Sequence, residues 1–486
     1  MSKETSGYKT AFKSTAIFGG VQLFTILLNV AKTKVIALLM GTVGFGIISI
    51  YNTMTSLIST TTNLGLQSSA VRDISITFAN NDKNALAQKH LAIMRCVYIT
   101  SFIGAILTII FARQLSYGLF EDYTHVIEIR LLSTVVGLMG IYNANYAFLQ
   151  GIRRIKDMAK STIYGALATF LLSLPLYYFF RTDGIVWSLI IGAVATTIVS
   201  YYFALRYKLP EISQTWKDTY RIGKGTVQLG IAMSIGSISV LLVQFIIKAF
   251  IVRQGGVADV GLYQAGWAIN ASYLGMVFTA IAKDYFPRLS SIHEDNEKMG
   301  IMVNEQAEIA ILILAPLISC LVLFIEPVVK LLYSIEFISI APMAMWLLIG
   351  SLIKAGSWGI SYVFLAKGKS KLYLFNELGI KLITVPSYLL GYHYFGLSGI
   401  GYAYTFIYCI FFLWVGLMSY KKFKIQYHKP FWKLFFILLF TLLLLPLTSN
   451  YLLKGIISLG IICFSLYHLN KRIQLISIIK GLLHEK

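Results

Sequence analysis

Charged residues are scarce in this chain. Asp, Glu, Lys and Arg make up 13% of the 486 residues, and only 21 residues are Asp or Glu, whereas soluble domains carry roughly 25% charged residues. Hydrophobic residues make up 57%, and apolar runs of about 20 residues, long enough to cross a bilayer, recur along the whole sequence. This composition excludes an ordinary soluble fold and predicts an all-α integral membrane protein.

Cysteine and histidine are also few. The four cysteines lie in apolar segments and the seven histidines are scattered, so neither a disulfide framework nor a metal site is predicted. The glycine-rich GTVGFG at 41–46 does not match GxGxxG, and GKS at 368–370 has Val363 where a phosphate-binding loop needs glycine. An enzyme is conceivable only as a membrane transferase, which should have acids or a large loop at one face. The loops on the outer face are short, so we predict neither an enzyme nor a cofactor.

The apolar runs predict about fourteen membrane-spanning helices. Their ranges are 14–40, 44–69, 91–112, 126–150, 159–180, 184–205, 225–252, 260–282, 303–325, 338–366, 371–392, 397–420, 431–449 and 453–470. Of the 42 Lys and Arg residues, 30 fall in alternate loops on one side and five on the other. By the positive-inside rule both termini are cytoplasmic. The net charge of +21 thus reflects membrane orientation, and no nucleic-acid partner is predicted.

Two glycine-led stretches indicate an internal repeat. GTVGFGIISIYN at 41–52 and GVADVGLYQAGW at 256–267 are 215 residues apart, and six predicted crossings separate them. An even number of crossings returns the chain to the same side, as in the parallel repeats of transporters. The predicted domains are an N-lobe of six spans at 1–206, a cytoplasmic linker at 207–224, a C-lobe of six spans at 225–420, and two further spans with a cytoplasmic tail at 421–486.

Polar side chains follow one face of several predicted spans. Lipid cannot satisfy such groups, so this face must contact protein or water. Interhelical hydrogen bonds and a water-filled cavity between the lobes both account for it, and the symmetry of the two halves favours the cavity. The predicted cavity residues are Gln22, Asn29, Asn52, Asn63 and Gln244.

Seven basic residues remain once those assigned to the two sides are counted, and a charge at membrane depth costs roughly 2.5–3.5 kcal/mol on insertion scales. Arg95 and Arg130 lie near span ends, from which their side chains can extend to the interface. The predicted substrate-binding lysines are Lys32, Lys34, Lys248, Lys354 and Lys381. The first three can also extend to the interface, whereas Lys354 and Lys381 lie close to mid-span. Lysines on several helices attract an anion, and phosphate or pyrophosphate suits them.

Acidic residues are rarer still at this depth. Glu377 precedes Lys381 by four residues on one helical face, a spacing that favours an ion pair. Glu308 lies near the inner end of another span. Glu377 and Glu308 are therefore the candidates for coupling transport to protons or sodium.

The first two spans have a recognisable order of features in FGGVQLFTILLNVAKTKVIALLMGTVGFGIISIYNTMTSLISTTTNLGLQSSAVRD. An early Gln and a leucine-rich stretch precede a Gly-x-x-Gly-Phe-Gly turn, and a second helix ends in Asn-Leu-Gly-Leu and a charged pair. In these features the region resembles the first two helices of Wzx-type polysaccharide flippases. Length, span number and the two-lobed repeat extend the resemblance over the whole chain.

This resemblance implies a fold like that of the multidrug and toxic compound extrusion (MATE) transporters. That fold has two pseudo-symmetric six-helix lobes around a central cationic cavity, here with two additional helices. The implied activity is alternating access that moves an undecaprenyl-pyrophosphate-linked oligosaccharide, such as an O-antigen unit for lipopolysaccharide, from the inner to the outer leaflet of a bacterial inner membrane. Implied partners are this glycan, the bilayer and the polysaccharide polymerase machinery.

Two neighbouring classes stay open on the sequence alone. A lipid II flippase would share the cationic cavity. A cation-coupled multidrug exporter would keep a buried carboxylate in the first or seventh span, and this chain has none there.

Overall fold

A computed structural model describes residues 2–473, and the side chains of residues 20–472 apart from those of 283 and 370. Within this range the chain is helical and has no strand, which confirms the predicted class. The chain divides into two compact units, Met1–Gly261 and Leu262–Lys486. From residue 474 onward the predicted cytoplasmic tail lies outside the described residues, and the four predicted domain boundaries stay predictions.

The first unit consists of seven helices and the beginning of an eighth. They are α1 (Ser2–Thr62), α2 (Leu66–Ala79), α3 (Lys83–Ile110), α4 (Ala112–Phe120), α5 (Val126–Gly151), α6 (Ile155–Phe180), α7 (Gly184–Leu205) and α8 (Trp216–Ser291) as far as Gly261. A buried cluster that includes Leu66, Ile74 and Phe148 packs α2 against α3 and α5.

The second unit contains the rest of α8 and six further helices. They are α9 (Asn296–Leu323), α10 (Ile325–Leu332), α11 (Ala341–Ala366), α12 (Ser370–Phe423), α13 (Lys429–Leu447) and α14 (Tyr451–Ile473). Of the 26 residues of α11, 18 are buried, because this helix packs against α9, α12 and α13. α11 is therefore the central helix of this unit.

Three predicted loops are replaced by single glycine residues inside longer helices. Gly41 in α1 (φ 60°), Gly256 in α8 (φ 81°) and Gly396 in α12 (φ 57°) have non-helical conformations that kink the helix. Only glycine adopts positive φ freely, because it has no Cβ. Ten described helical stretches are long and apolar enough to span a membrane, so the count of fourteen crossings stays a prediction.

The two repeated glycine stretches cross each other closely in the first unit. A Cβ at Gly46 would meet the carbonyl oxygen of Val257, and a Cβ at Gly261 would meet that of Thr42. Gly46 and Gly261 are 215 residues apart, as are Thr42 and Val257. Replacing each residue by its counterpart 215 positions away therefore converts one contact into the other. The crossing thus has pseudo-twofold symmetry. The predicted repeat thus has a physical counterpart in the backbone.

Candidate functional site

The second unit brings together three of the predicted charged residues. Lys354 on α11 and Glu377 and Lys381 on α12 are half-buried and lie within electrostatic range of one another. We call these three residues the lysine cluster. Among the described ion pairs, which extend to 4.0 Å, there is no Glu377–Lys381 contact. The predicted i,i+4 ion pair is thus not formed. With two lysines and one carboxylate, the cluster has a net positive charge.

Aromatic residues surround the ammonium group of Lys354, which hydrogen-bonds the hydroxyl of Tyr408. Its Nζ lies 5.1 Å from the ring centroid of Phe278 and 5.5 Å from that of Tyr408. Ring faces attract a cation through their quadrupole but do not neutralise its charge. An anion that enters the cluster can therefore still bind the ammonium group of Lys354.

Two aromatic residues near Lys354 on α11 were not predicted from the sequence as part of the site. Trp358 and Tyr362 follow Lys354 at four-residue steps, so the three share one face of α11. Both are partly exposed, whereas the residues between them are buried. The Lys-x-x-x-Trp-x-x-x-Tyr spacing was the available signal, but the abundance of aromatics in membrane interfaces concealed it.

The three predicted lysines of the first unit have separate surroundings. Lys32 Nζ lies 5.8 Å from the ring centroid of the buried Tyr177, and Lys34 is half-buried. Lys248 is only 3% exposed, and its Nζ donates to Ser49 O at 3.2 Å and Thr53 Oγ1 at 2.5 Å. The ammonium group of Lys248 therefore links α8 to α1 in this structure.

The predicted cavity residues fall into two groups. Gln22, Asn29 and Asn52 are exposed and Gln244 is half-buried, as residues that face water would be. Asn63 differs, because it is 9% exposed and accepts hydrogen bonds from Thr100 and Ser101 of α3. For Asn63 the structure favours the alternative interpretation, an interhelical hydrogen bond.

The second candidate for ion coupling has a structural partner. Glu308 of α9 is 5% exposed, and its Oε2 lies 2.7 Å from Nη2 of Arg472 in α14. A buried carboxylate needs such a partner, because an unpaired charge at this site would be strongly destabilising. Glu308 therefore ties α14 to α9, and Glu377 is the coupling candidate with the more open surroundings.

Residues 35–342 match the model of the family described as "Polysaccharide biosynthesis protein". The chain belongs to this family. The matched segment ends before Lys354, so the family match does not include the lysine cluster.

Two curated relatives of this chain are a lipid III flippase and a lipid II flippase. The chain is 22% identical to the lipid III flippase of Escherichia coli (strain K12) over 322 residues, which cover 64% of this chain and 75% of the relative. It is 30% identical to the lipid II flippase MurJ of Bacillus subtilis (strain 168) over 125 residues, which cover 26% of this chain and 22% of that protein.

Similarity to solved structures establishes the fold of this chain. An inward-facing multidrug resistance MATE family transporter of the MOP superfamily matches with a TM-score of 0.67 at 16% identity, covering 82% of this chain and 95% of that one. The lipid II flippase MurJ, in an inward closed conformation, also matches with a TM-score of 0.67 at 12% identity, covering 95% and 99%. The predicted MATE-like membrane fold is thus confirmed.

Arg95, which lies near the end of a predicted span, contacts the residues of the predicted linker. Arg95 Nη1 donates to Gln214 O at 2.8 Å and to Thr219 Oγ1 at 2.9 Å, and its guanidinium carbon lies 4.8 Å from the Trp216 ring centroid. The Arg95 side chain therefore fastens the predicted linker to α3, and its position at the membrane interface stays a prediction.

A cavity of about 780 Å³ lies in the first unit beside this linker. It is bounded by α3, α5, α7 and the residues that follow α7, with Tyr98 and Tyr201 on its wall. These tyrosines are 46% and 48% exposed. None of the predicted site residues lines this cavity.

Proposed function

We propose that this protein is a flippase for an undecaprenyl-pyrophosphate-linked oligosaccharide, an O-antigen unit or a related polysaccharide unit. In this proposal alternating access moves the glycan from the inner to the outer leaflet of a bacterial inner membrane. Family membership supports a role in polysaccharide assembly. The similarity to lipid III flippase supports a lipid-linked glycan as the cargo.

The lysine cluster is the observation that carries the proposal. Charged side chains at membrane depth are costly, and they face a protein interior or water where they occur. Lys354 and Lys381 lie together with a single carboxylate, so the cluster attracts an anion. A diphosphate fits this arrangement, because it offers several oxygens to two ammonium groups that each act as a point charge.

The proposal concerns transport and requires no covalent step. The uneven distribution of Lys and Arg supports cytoplasmic termini and therefore an inner-membrane orientation. A polymerase that joins the delivered units on the outer side is the partner class that follows from this cargo.

A lipid II flippase is the second candidate function. The 30% identity to MurJ over 125 residues and the match to the MurJ fold favour it. Cargo comparison separates the two functions, because lipid II bears a peptide on its sugar. A multidrug exporter is less well supported, since residues 20–62 of α1 and 225–252 of α8 contain no Asp or Glu.

We propose further that Glu377 couples transport to protons or sodium. The carboxylate lies within electrostatic range of both lysines, so its occupancy by a cation would change the charge that the diphosphate meets. Purified protein in liposomes with an imposed proton or sodium gradient tests this. Glu377→Gln should abolish the dependence of the flipping rate on the gradient, while Glu308→Gln should retain it. Full gradient dependence in Glu377→Gln would contradict the assignment.

A cellular assay tests the lysine cluster. Lys354→Gln and Lys381→Gln keep a polar side chain but remove the charge, and a charged hydrogen bond contributes about 1.5–3 kcal/mol. Each variant should reduce surface glycan at least tenfold in cells that lack the wild-type protein. Lys422→Gln, at an exposed lysine of α12, is the matched control and should retain full assembly. Full assembly in both cluster variants, at equal protein levels, would disprove the anion site.

A further inference from the structure

One face of α11 is open along a stripe of three residues. Between Ile353 and Phe364 every residue is buried except Lys354, Trp358 and Tyr362. Four-residue steps place these side chains on one face, about 6 Å apart along the helix axis. The indole and phenol rings meet edge to face at an interplanar angle of 62°, and they follow, along this face, the lysine that the proposed function assigns to the diphosphate.

Neighbouring rings hold this stripe in place. The Trp358 and Tyr362 centroids are 4.8 Å apart, Phe278 lies 5.7 Å from Trp358, and Phe286 lies 5.7 Å from Tyr362. The buried Tyr285 contacts both rings of the stripe, and its hydroxyl donates to Gly359 O at 2.8 Å. Rings fixed in this way lose little conformational entropy when a ligand binds.

An interfacial aromatic belt does not explain the stripe. Belt residues lie at the headgroup level and face lipid. Trp358 is eight residues, about 12 Å, from the end of α11 at Ala366, and it shares its face with Lys354. A lysine ammonium group cannot face the hydrocarbon region without a large cost, so the face that carries all three residues lies toward protein or water. The partial exposure of all three side chains shows that protein does not cover this face completely.

We propose that Trp358 and Tyr362 bind the sugars nearest the diphosphate of the lipid-linked glycan. The inference rests on the proposed function and specifies its cargo. The negative face of an aromatic ring attracts the partly positive C–H hydrogens on the apolar face of a pyranose. Lys354 and Lys381 bind the diphosphate, and the first sugar stacks on Trp358 one helical turn away. The cargo is therefore a glycan whose first sugar has a continuous C–H face.

Binding to purified full-length protein in nanodiscs tests this inference with two probes. The probes are undecaprenyl diphosphate without sugar and undecaprenyl-diphosphate-linked N-acetylglucosamine. The wild-type protein should bind the sugar-bearing probe about tenfold more tightly, the gain expected from one stacked ring. Trp358→Leu should remove most of this preference and leave binding of the bare diphosphate unchanged, whereas Trp358→Phe should keep most of it.

The controls separate this inference from the proposed function. Trp187→Leu, at a tryptophan of α7 that is 50% exposed, should retain the wild-type preference. Lys354→Gln should weaken both probes alike, and unchanged binding there would overturn the diphosphate site itself. The sugar inference is overturned if the wild type shows no preference, or if Trp358→Leu affects both probes equally or neither. If Trp358→Leu does not fold, Tyr362→Leu provides the same comparison at the next ring.

Discussion

Lys248 and Lys354 both lie within apolar helices, but their ammonium groups have different surroundings. Lys248 is almost completely buried and donates to two oxygens of α1. One of these oxygens, Thr53 Oγ1, itself donates to Ser49 O at 3.0 Å, so the three groups form a closed network. Lys354 hydrogen-bonds one phenol, that of Tyr408, lies over two aromatic faces, and has a partly exposed side chain. We infer that Lys248 stabilises the packing of two helices, whereas Lys354 can bind a ligand.

Two substitutions test this distinction at Lys248. Thr53→Val leaves the buried ammonium without one of its acceptors, which should lower the free energy of unfolding by about 1–3 kcal/mol. Lys248→Met removes the buried charge and keeps the volume, a replacement that is often neutral or stabilising. Thermal unfolding of the purified protein in detergent should therefore give a lower midpoint for Thr53→Val than for Lys248→Met. The reverse order, or loss of transport in a well-folded Lys248→Met, would show that the lysine acts on the substrate.

Residue roles were only partly predictable from the sequence. The cost of charge in lipid identified Lys354, Glu377 and Lys381, and the structure places these three together. The same argument selected Lys248, and the need to satisfy polar groups in lipid selected Asn63. The partners of both residues belong to other segments of the chain. A sequence shows that a buried polar group needs a partner, but it does not show whether the partner is protein or ligand.

Glycine positions determine how the long helices bend and cross. Gly256 has φ 81° and ψ 178°, a conformation that costs other residues about 1–3 kcal/mol. Five residues later, Gly261 brings the α8 backbone against α1 at the pseudo-twofold crossing. The glycine-led stretches therefore combine a kink with a close backbone contact, and neither feature needs a ligand.

Alanine substitutions test the crossing directly. Gly46→Ala and Gly261→Ala each place a methyl group against a backbone carbonyl, and overpacking of this kind costs about 1–3 kcal/mol. Both should lower the thermal midpoint of the purified protein. Gly236→Ala is the matched control, since it lies inside α8 with nothing within 4 Å of the added Cβ. It should be neutral or slightly stabilising. Equal midpoints for all three variants would contradict the close crossing.

Helix boundaries illustrate where hydropathy alone is insufficient. The predicted spans at 91–112 and 303–325 begin later than α3 and α9, which start at Lys83 and Asn296. Asp82 and Asp295 cap these helices by accepting backbone N–H groups, and the N–H of Lys298 lowers the pKa of the Asp295 carboxyl. Polar first turns are fixed by such caps, whereas the apolar runs reveal only the middle of each helix.

At the scale of the whole molecule, several independent observations lead to the same class of protein. Low charge and recurrent apolar runs predicted a polytopic helical protein, and the 215-residue repeat predicted two related halves. The family match and the MATE-like and MurJ-like structures confirm the family and the fold. The identity of the cargo was not predictable to the same degree, since similar folds serve different substrates and the lysine cluster specifies only an anion.

Translocation in reconstituted liposomes tests whether this protein is a flippase that depends on the lysine cluster. Liposomes that contain a labelled undecaprenyl-diphosphate-linked glycan are prepared with purified protein, and a membrane-impermeant reagent measures how fast the label crosses to the other leaflet. The account predicts that wild-type protein and Lys422→Gln accelerate crossing over protein-free liposomes, while the double variant Lys354→Gln, Lys381→Gln loses at least nine-tenths of that acceleration, as a loss of about 1.4 kcal/mol or more implies. Wild-type protein that fails to accelerate crossing, or a double variant as fast as the wild type, would contradict the account.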